Sequence, residues 1–174
     1  MKTFIALTFI GILTHAYGSI SECKTPASVV DDFSATKFHG GTWYVTHVAN
    51  QTDPTECRTL TTSTTGSGKD KTYVVQHPFG DGDKETLRCT AQPEQQKRLT
   101  FTCKNGETVT DTTIFIAMET DYNDYALYYL CTTVKAGDKN GQIYDNYVVA
   151  RRSKTNEIPD KLKSLTKDLN MKPC

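Results

Sequence analysis

The sequence predicts an all-β fold, an eight-stranded antiparallel up-and-down barrel followed by a C-terminal α-helix. Eight short segments rich in threonine, tyrosine and valine are separated by turn-forming residues, and such β-branched and aromatic residues favour a half-buried pleated surface. The only tryptophan, Trp43, follows Gly40-Gly41 at the start of the first segment. Such a series of short strands is typical of a sandwich or of a closed up-and-down barrel, and closure has the advantage that it leaves no exposed strand edge.

The strands are placed by their composition and by the turns between them. Gly66-Ser67-Gly68, Gly80-Asp81-Gly82, Asn105-Gly106 and Asn140-Gly141 each favour a tight reversal. The predicted strands cover residues 42–50, 57–64, 71–77, 86–91, 98–104, 108–119, 125–134 and 143–152. Alternation along the first strand predicts that Val45 and His47 point inward if Trp43 does. It leaves open which face of the strand at 125–134 lines the interior.

Near the end of the chain the spacing of apolar residues becomes that of a helix. Ile158, Leu162, Leu165 and Leu169 recur at helical spacing. They predict an amphipathic helix of about three turns, whose leucine stripe packs on the outside of the sheet.

The first 18 residues have the pattern of a targeting segment. Lys2 supplies a positive charge, an apolar run follows, and Ala16-Tyr17-Gly18 offers small residues at the usual cleavage spacing. We therefore expect a secretory signal peptide at residues 1–18 and a single domain at 19–174. No other apolar run is long enough to span a membrane. The sequon Asn50-Gln51-Thr52 makes Asn50 a candidate glycosylation site.

Cysteine and charge content narrow the function classes. The six cysteines are an even number in a chain expected to be secreted, which predicts three disulfides. Zinc is the alternative, but the sequence lacks a Cys-x-x-Cys motif and its histidines are scattered. The 20 basic and 20 acidic residues give no electrostatic footprint for nucleic acid or for an anionic membrane.

Catalytic motifs are missing from the sequence. It contains no Gly-x-Ser-x-Gly elbow, no phosphate-binding glycine loop and no His-Glu-x-x-His pair. A haem-ligating histidine is not predicted either, because His77 is followed directly by Pro78 and stands in no recognisable haem-binding context. We therefore expect a non-enzymatic protein that holds neither a cofactor nor a metal.

Three short motifs, in order, resemble those of the lipocalins. Gly41-Thr42-Trp43 resembles the first, Thr120-Asp121-Tyr122 the second, and Val148-Val149-Ala150-Arg151 the third. The wider segments around Trp43 and Tyr122 are similar to the salivary lipocalins of blood-feeding triatomine bugs, the triabin-, pallidipin- and triafestin-like calycins. This resemblance covers essentially the whole chain after the leader.

The resemblance implies specific structural roles. Gly41 and Trp43 would form the closed end of the barrel, with Arg151 packed over the indole as a cation–π contact. The implied disulfides are Cys23–Cys131, Cys57–Cys174 and Cys89–Cys103.

The resemblance also implies a binding function. We expect a secreted salivary protein, a monomer, that sequesters a small hydrophobic or amphipathic host mediator. An eicosanoid such as thromboxane or leukotriene is the first choice, with impaired platelet aggregation as the effect. Because the family includes a salivary allergen, host IgE is an expected partner. The alternatives are a surface inhibitor of a coagulation or contact-phase protease, and a binder of biogenic amines.

Candidate cavity residues follow from the predicted strands. An inward arginine would bind a carboxylate while aliphatic walls cover the tail, although an outward arginine on a solvated wall is the more common arrangement. The tyrosines would either line the pocket or pack under the helix. The candidates are Val45, His47, Arg58, Arg88, Ile114, Ile116, Tyr125, Leu127 and Tyr129.

Overall fold

The computed structural model describes residues 19–50, 57–80, 82, 84–93 and 97–174. Its main strands are β1 (Gly41–Val48), β2 (Thr59–Thr65), β3 (Thr72–Phe79), β4 (Glu85–Ala91), β5 (Leu99–Asn105), β6 (Thr108–Thr120), β7 (Tyr125–Val134) and β8 (Ile143–Arg151). Each strand pairs antiparallel with the next, and β1 pairs with both β8 and β2, which closes the barrel. The predicted eight-stranded up-and-down barrel is therefore confirmed.

Short elements at both ends of the chain complete the fold. They are α1 (Ala35–Phe38), α2 (Asp160–Thr166) and β9 (Lys172–Pro173), which pairs with the end of β1. The predicted C-terminal helix is present but shorter than three turns, since α2 has seven residues. The chain leaves helical geometry before Leu169, and Asn170 then adopts a left-handed φ of 50°. The predicted signal peptide, and Gln51 and Thr52 of the sequon, lie outside the described residues.

All six cysteines are paired. The disulfides are Cys23–Cys131, Cys57–Cys174 and Cys89–Cys103, which are the pairs implied by the family resemblance. The first two tie the N-terminal segment and the C-terminus to the barrel. The third joins neighbouring residues of β4 and β5 on the interior face. Each bond contributes about 2–4 kcal/mol to stability in typical proteins.

Two apolar cores lie on opposite faces of the wall formed by β6, β7 and β8. The inner core includes Trp43, Phe38, Phe115 and Tyr128. The outer core is covered by α2 and by the N-terminal segment. Its buried members are Met118, Leu127, Tyr129, Cys131, Val149 and Leu162. This wall is therefore buried on both sides, which makes its strands apolar on both faces.

Candidate functional site

One end of the barrel is closed around Trp43. The indole is fully buried, stacks on Phe38 with ring centroids 4.9 Å apart, and donates from Nε1 to the Phe38 carbonyl at 3.0 Å. The guanidinium carbon of Arg152 lies 3.7 Å from the centroid of the indole ring. Its nitrogens donate to the carbonyls of Phe38, Thr42 and Tyr122 at 3.0–3.3 Å. This end is a floor rather than an opening.

The prediction that Arg151 packs over Trp43 is wrong. Arg151 points out of the barrel, where it donates to both carboxylate oxygens of Asp124 and to the Glu157 carbonyl. Strand alternation explains the difference, because Val148 and Ala150 belong to the inner core and Arg152 continues their parity past the end of β8. The arginine that packs over the indole is therefore Arg152, the residue directly after the motif.

Above the floor the barrel encloses a cavity of about 660 Å³. Aromatic and aliphatic side chains line much of it, among them Phe38, Val45, Leu60, Phe101, Phe115 and Val148. Polar and charged residues line the part nearer the opposite end, including Asp111, Lys139, Tyr144 and Asn146. The cavity therefore presents an apolar lower part and a polar rim.

Arg58 and His77 form a polar pair on the cavity wall. Nη1 of Arg58 lies 2.8 Å from Nε2 and 3.1 Å from Nδ1 of His77, and His77 Nδ1 lies 2.8 Å from the Pro78 carbonyl oxygen. A carbonyl only accepts, so Nδ1 carries the proton and Nε2 accepts from Arg58. Burial and the adjacent guanidinium lower the pKa of His77 to about 4. At neutral pH the positive charge of this pair therefore belongs to Arg58.

Two of the predicted cavity residues, Val45 and Arg58, line the cavity. His47 does not, because a β-bulge lies between Val45 and His47 in the pairing of β1 with β8. The bulge adds one residue, Thr46, and reverses the alternation beyond it. Val48 consequently lines the cavity, while His47 pairs with Val149 of the outer core.

The remaining six candidates also lie off the cavity. Arg88 is exposed, because the inward positions of β4 are Leu87 and Cys89 on either side of it. The other five pack in or against the outer core under α2: Ile114, Ile116, Tyr125, Leu127 and Tyr129. Alternation does not fix the interior face of β7, and the candidates on β6 and β7 all lie on the outer face. Both faces of these strands are apolar, so hydrophobicity does not distinguish them.

The interior face of β6 and β7 is formed by residues that are not among the predicted cavity residues. They are Asp111, Thr113, Phe115, Tyr128, Leu130 and Thr132. A usable signal was present in the implied disulfide Cys23–Cys131. Cys131 bonds a segment that precedes the first strand and lies outside the barrel, so Tyr129 and Leu127, which share its parity, must also face outward.

His39 lies at the bottom of the cavity, next to the floor. Its Nδ1 is 2.8 Å from the Ala35 carbonyl, one turn back in α1. Burial, with a smaller effect of the nearby Arg152 charge, lowers the pKa of His39 to about 4. The ring is therefore neutral at physiological pH and packs among Phe38, Tyr73 and Phe101.

The described ranges also bear on metal binding and on membrane insertion. No set of three or more His, Cys, Asp or Glu side chains is arranged there to hold a metal ion. No helix in that part of the chain is long and apolar enough to cross a membrane.

Comparison with known sequences finds one family match and several similar proteins along most of the chain. The family model described as triabin matches residues 20–165. Procalin of Hospesneotomae protracta is 47% identical over 100% of this chain and 99% of its own. Triafestin-2 of Triatoma infestans is 34% identical over 75% of this chain and 69% of its own. Triabin of Meccus pallidipennis is 28% identical over 92% and 97%.

Solved structures share the barrel. A point mutant of LTBP1, crystallised in complex with leukotriene C4, is 25% identical with a TM-score of 0.63, covering 84% of this chain and 90% of that one. A biogenic amine-binding protein is 18% identical with a TM-score of 0.55, covering 84% and 79%, and that likeness concerns the fold alone. The closed barrel and the three disulfides of this chain agree with these matches. The family match and the sequence relatives establish that the chain belongs to the triabin family of lipocalins.

Proposed function

We propose that the protein is a secreted, non-enzymatic lipocalin that captures a small amphipathic host mediator stoichiometrically in its barrel. The mediator is an eicosanoid of the thromboxane or leukotriene type, and its removal counters platelet aggregation or inflammation. Secretion rests on the leader-like residues 1–18 and accords with the three disulfides. The family resemblance supports a place for this activity in the saliva of a blood-feeding insect, with host IgE as an expected partner.

The observation that carries the proposal is the position of Arg58 in a largely apolar cavity. A volume of about 660 Å³ falls within the range of roughly 300–1,000 Å³ typical of small-molecule sites. The guanidinium of Arg58 would bind a carboxylate through charge-assisted hydrogen bonds, with neutral His77 holding it in place. Burial of a hydrocarbon tail against the aromatic lower part contributes about 25 cal/mol per Å².

Two further observations support capture over inhibition of a protease by the outer surface. The barrel encloses a cavity of about 660 Å³, whereas a surface inhibitor needs no cavity. The chain also has equal numbers of acidic and basic residues, so it lacks the strong net charge that would favour binding to an oppositely charged protein surface. The LTBP1 point mutant that shares 25% of its aligned residues with this chain was crystallised in complex with leukotriene C4, and this supports the eicosanoid class.

A biogenic amine is the second candidate because a carboxylate also lines the cavity. Asp111 accepts hydrogen bonds from Thr110 and Thr113 at 2.8 and 3.0 Å, and it lies toward the polar rim. An ammonium group would bind there, although the positive charges of Arg58 and Lys139 on the same lining oppose it.

Calorimetric titration of the purified secreted chain tests these alternatives. The ligands are a stable thromboxane analogue, leukotriene C4 and serotonin, and a thrombin clotting assay runs in parallel. We expect one-to-one binding of an eicosanoid at micromolar protein and an unchanged clotting time. A heat of binding observed with serotonin alone would favour a biogenic amine as the ligand. Prolonged clotting without any ligand heat would favour the protease inhibitor.

A further inference from the structure

Two cations lie directly opposite each other on the outer wall of the barrel. Arg88 of β4 and Lys104 of β5 are register partners, next to the pair Cys89 and Cys103 that faces the cavity. Because successive side chains alternate between the two faces of a strand, Arg88 and Lys104 point outward, and both are exposed. Like charges in directly opposite positions destabilise a sheet. The free protein therefore carries an unfavourable contact at this position.

The two charges are not offset by carboxylates of the chain. In the part of the chain that the structure describes, neither Arg88 nor Lys104 forms an ion pair. Glu85, at the start of β4, accepts instead from the side chain of Asn105, and Asp111 of β6 faces the cavity. The balanced total of 20 basic and 20 acidic residues is therefore compatible with a local positive surface.

The positive surface continues across the next two strands. Lys104 pairs with Val109 of β6, a large apolar residue that is 36% exposed. Directly after Val109, the Thr110 carbonyl accepts from the N–H of Lys135 at 2.8 Å, and Lys135 is exposed. Glu107 of the β5–β6 turn is exposed as well and forms no ion pair within the described ranges. We define the basic row as Arg88, Lys104 and Lys135.

Hydroxyl groups border the basic row on the same outer face. Thr90, Thr102 and Thr112 are register partners on β4, β5 and β6, and each alternates with residues that face the interior. Hydroxyls can donate to anionic oxygens, and guanidinium and ammonium groups bind them through charge-assisted hydrogen bonds. Neighbouring strands are about 4.8 Å apart, so the row spans about 14 Å from β4 to β7. This length suits several anionic groups of one partner.

We propose that the basic row binds a sulfated polysaccharide, whose sulfate groups contact Arg88, Lys104 and Lys135 while the neighbouring threonine hydroxyls donate to them. This site goes beyond the proposed capture of a mediator and does not depend on it, because the three side chains lie outside the cavity. The wall of a barrel is convex. A flexible linear polyanion can follow the row, whereas a flat bilayer touches fewer of its residues at once. The row also has no aromatic member on which nucleic-acid bases would stack.

Calorimetric titration of the full secreted chain with heparin of defined length tests the site. We expect binding in about 50 mM salt that weakens about tenfold in about 150 mM salt, the order expected when two or three cations each neutralise a polymer charge. The double variant Arg88→Gln/Lys104→Gln should lose about tenfold in affinity or more. The matched control, Lys161→Gln/Lys167→Gln, removes the same net charge from exposed positions at α2 and should retain the wild-type affinity.

Three outcomes of this experiment would overturn the site. Equal losses in the two double variants would mean that net charge alone attracts heparin. Equal binding of hyaluronan, which carries carboxylates but no sulfates, would remove the preference for sulfate. Binding of phosphatidylserine vesicles without binding of heparin would assign the row to a membrane. None of these results affects eicosanoid capture, which is titrated separately in the absence of polysaccharide.

Stability of the free protein provides a second readout. Arg88→Gln should raise the melting temperature at low salt, because it relieves the opposition of two like charges. The gain should vanish in about 1 M salt, where the Debye length falls to about 3 Å. The absence of any rise at low salt would mean that the chain already compensates these charges, and would overturn the site.

Discussion

The guanidinium carbon of Arg152 lies 3.7 Å from the centroid of the Trp43 indole, and together they close one end of the barrel. The same guanidinium donates to three backbone carbonyls, on α1, on β1 and in the β6–β7 turn. Arg152 therefore joins three segments that are distant in sequence. The opening for the proposed ligand therefore lies at the other end, where Lys139 and Tyr144 line the cavity.

Replacement of Arg152 by leucine should destabilise the protein by about 3 kcal/mol, because it removes the cation–π contact and leaves buried carbonyls unsatisfied. Arg151→Leu is the matched control. Its partner Asp124 is 47% exposed, so that loss should cost about 1 kcal/mol or less. The measurement is guanidinium unfolding followed by Trp43 fluorescence. A larger effect at Arg151 would contradict the assignment of the floor.

The outer core should matter for stability but not for ligand capture. Leu162 of α2 is fully buried against the wall, so Leu162→Ala should cost about 2–4 kcal/mol. Leu165, which is only partly buried, should cost less when changed to alanine. Eicosanoid affinity of both variants, measured at a temperature where they remain folded, should match the wild type. A large loss of affinity in Leu162→Ala would argue that the outer face takes part in binding.

Stability should fall as the pH decreases from about 6.5 toward 4. The pKa values of His39 and His77 are lowered from 6.5 to about 4 in the folded protein. Between these limits the unfolded chain binds protons that the native state does not. Each histidine therefore lowers the free energy of unfolding by up to about 3 kcal/mol on acidification. Below pH 4 both states are protonated and the effect ends.

The pH prediction is checked with His77→Gln, which retains an acceptor for Arg58 and removes one titration. Urea unfolding at several pH values should give a shallower loss of stability than in the wild type across this window. Carboxylates elsewhere contribute equally to both proteins and cancel in the comparison. Identical slopes would show that His77 does not titrate with a lowered pKa.

The disulfides should differ in their contribution. Cys23–Cys131 spans 108 residues and Cys89–Cys103 spans 14. In the loop-entropy treatment these spans correspond to about 4.7 and 3 kcal/mol. Paired substitution to alanine should therefore destabilise the protein more at Cys23 and Cys131 than at Cys89 and Cys103. The reverse order in denaturant unfolding would mean that interior packing of the β4–β5 bond outweighs chain entropy.

Sequence reasoning predicted the strands and the barrel because turn residues and β-branched segments are local signals. The disulfide pairs came from family resemblance rather than from spacing. The face of each strand was harder to predict. On β4, inward Leu87 and Cys89 leave Arg88 outside, whereas Arg58 shares the parity of Leu60 and Thr62, which line the cavity.

Three physical features account for the errors. The bulge at Thr46 reverses the alternation of inward and outward side chains along β1, and no residue pattern in the sequence predicts it. The wall of β6 to β8 is buried on both faces, so hydrophobicity cannot separate Phe115 from Ile114. Arg152 lies one position beyond the motif arginine, and only the parity of Val148 and Ala150 identifies it.

In the proposed function, Arg58 holds the carboxylate of the captured ligand. Arg58→Gln should weaken binding of the free acid about 10- to 100-fold, the range for losing a charge-assisted hydrogen-bonded pair. It should leave the methyl ester of the same ligand little affected. Arg88→Gln on the outer wall is the matched control and should bind the acid as the wild type does.

Calorimetry of acid and ester with these two variants is the most direct measurement. We expect a loss of affinity that is confined to the acid and to Arg58→Gln. Equal affinity of wild type and Arg58→Gln for the acid would contradict it.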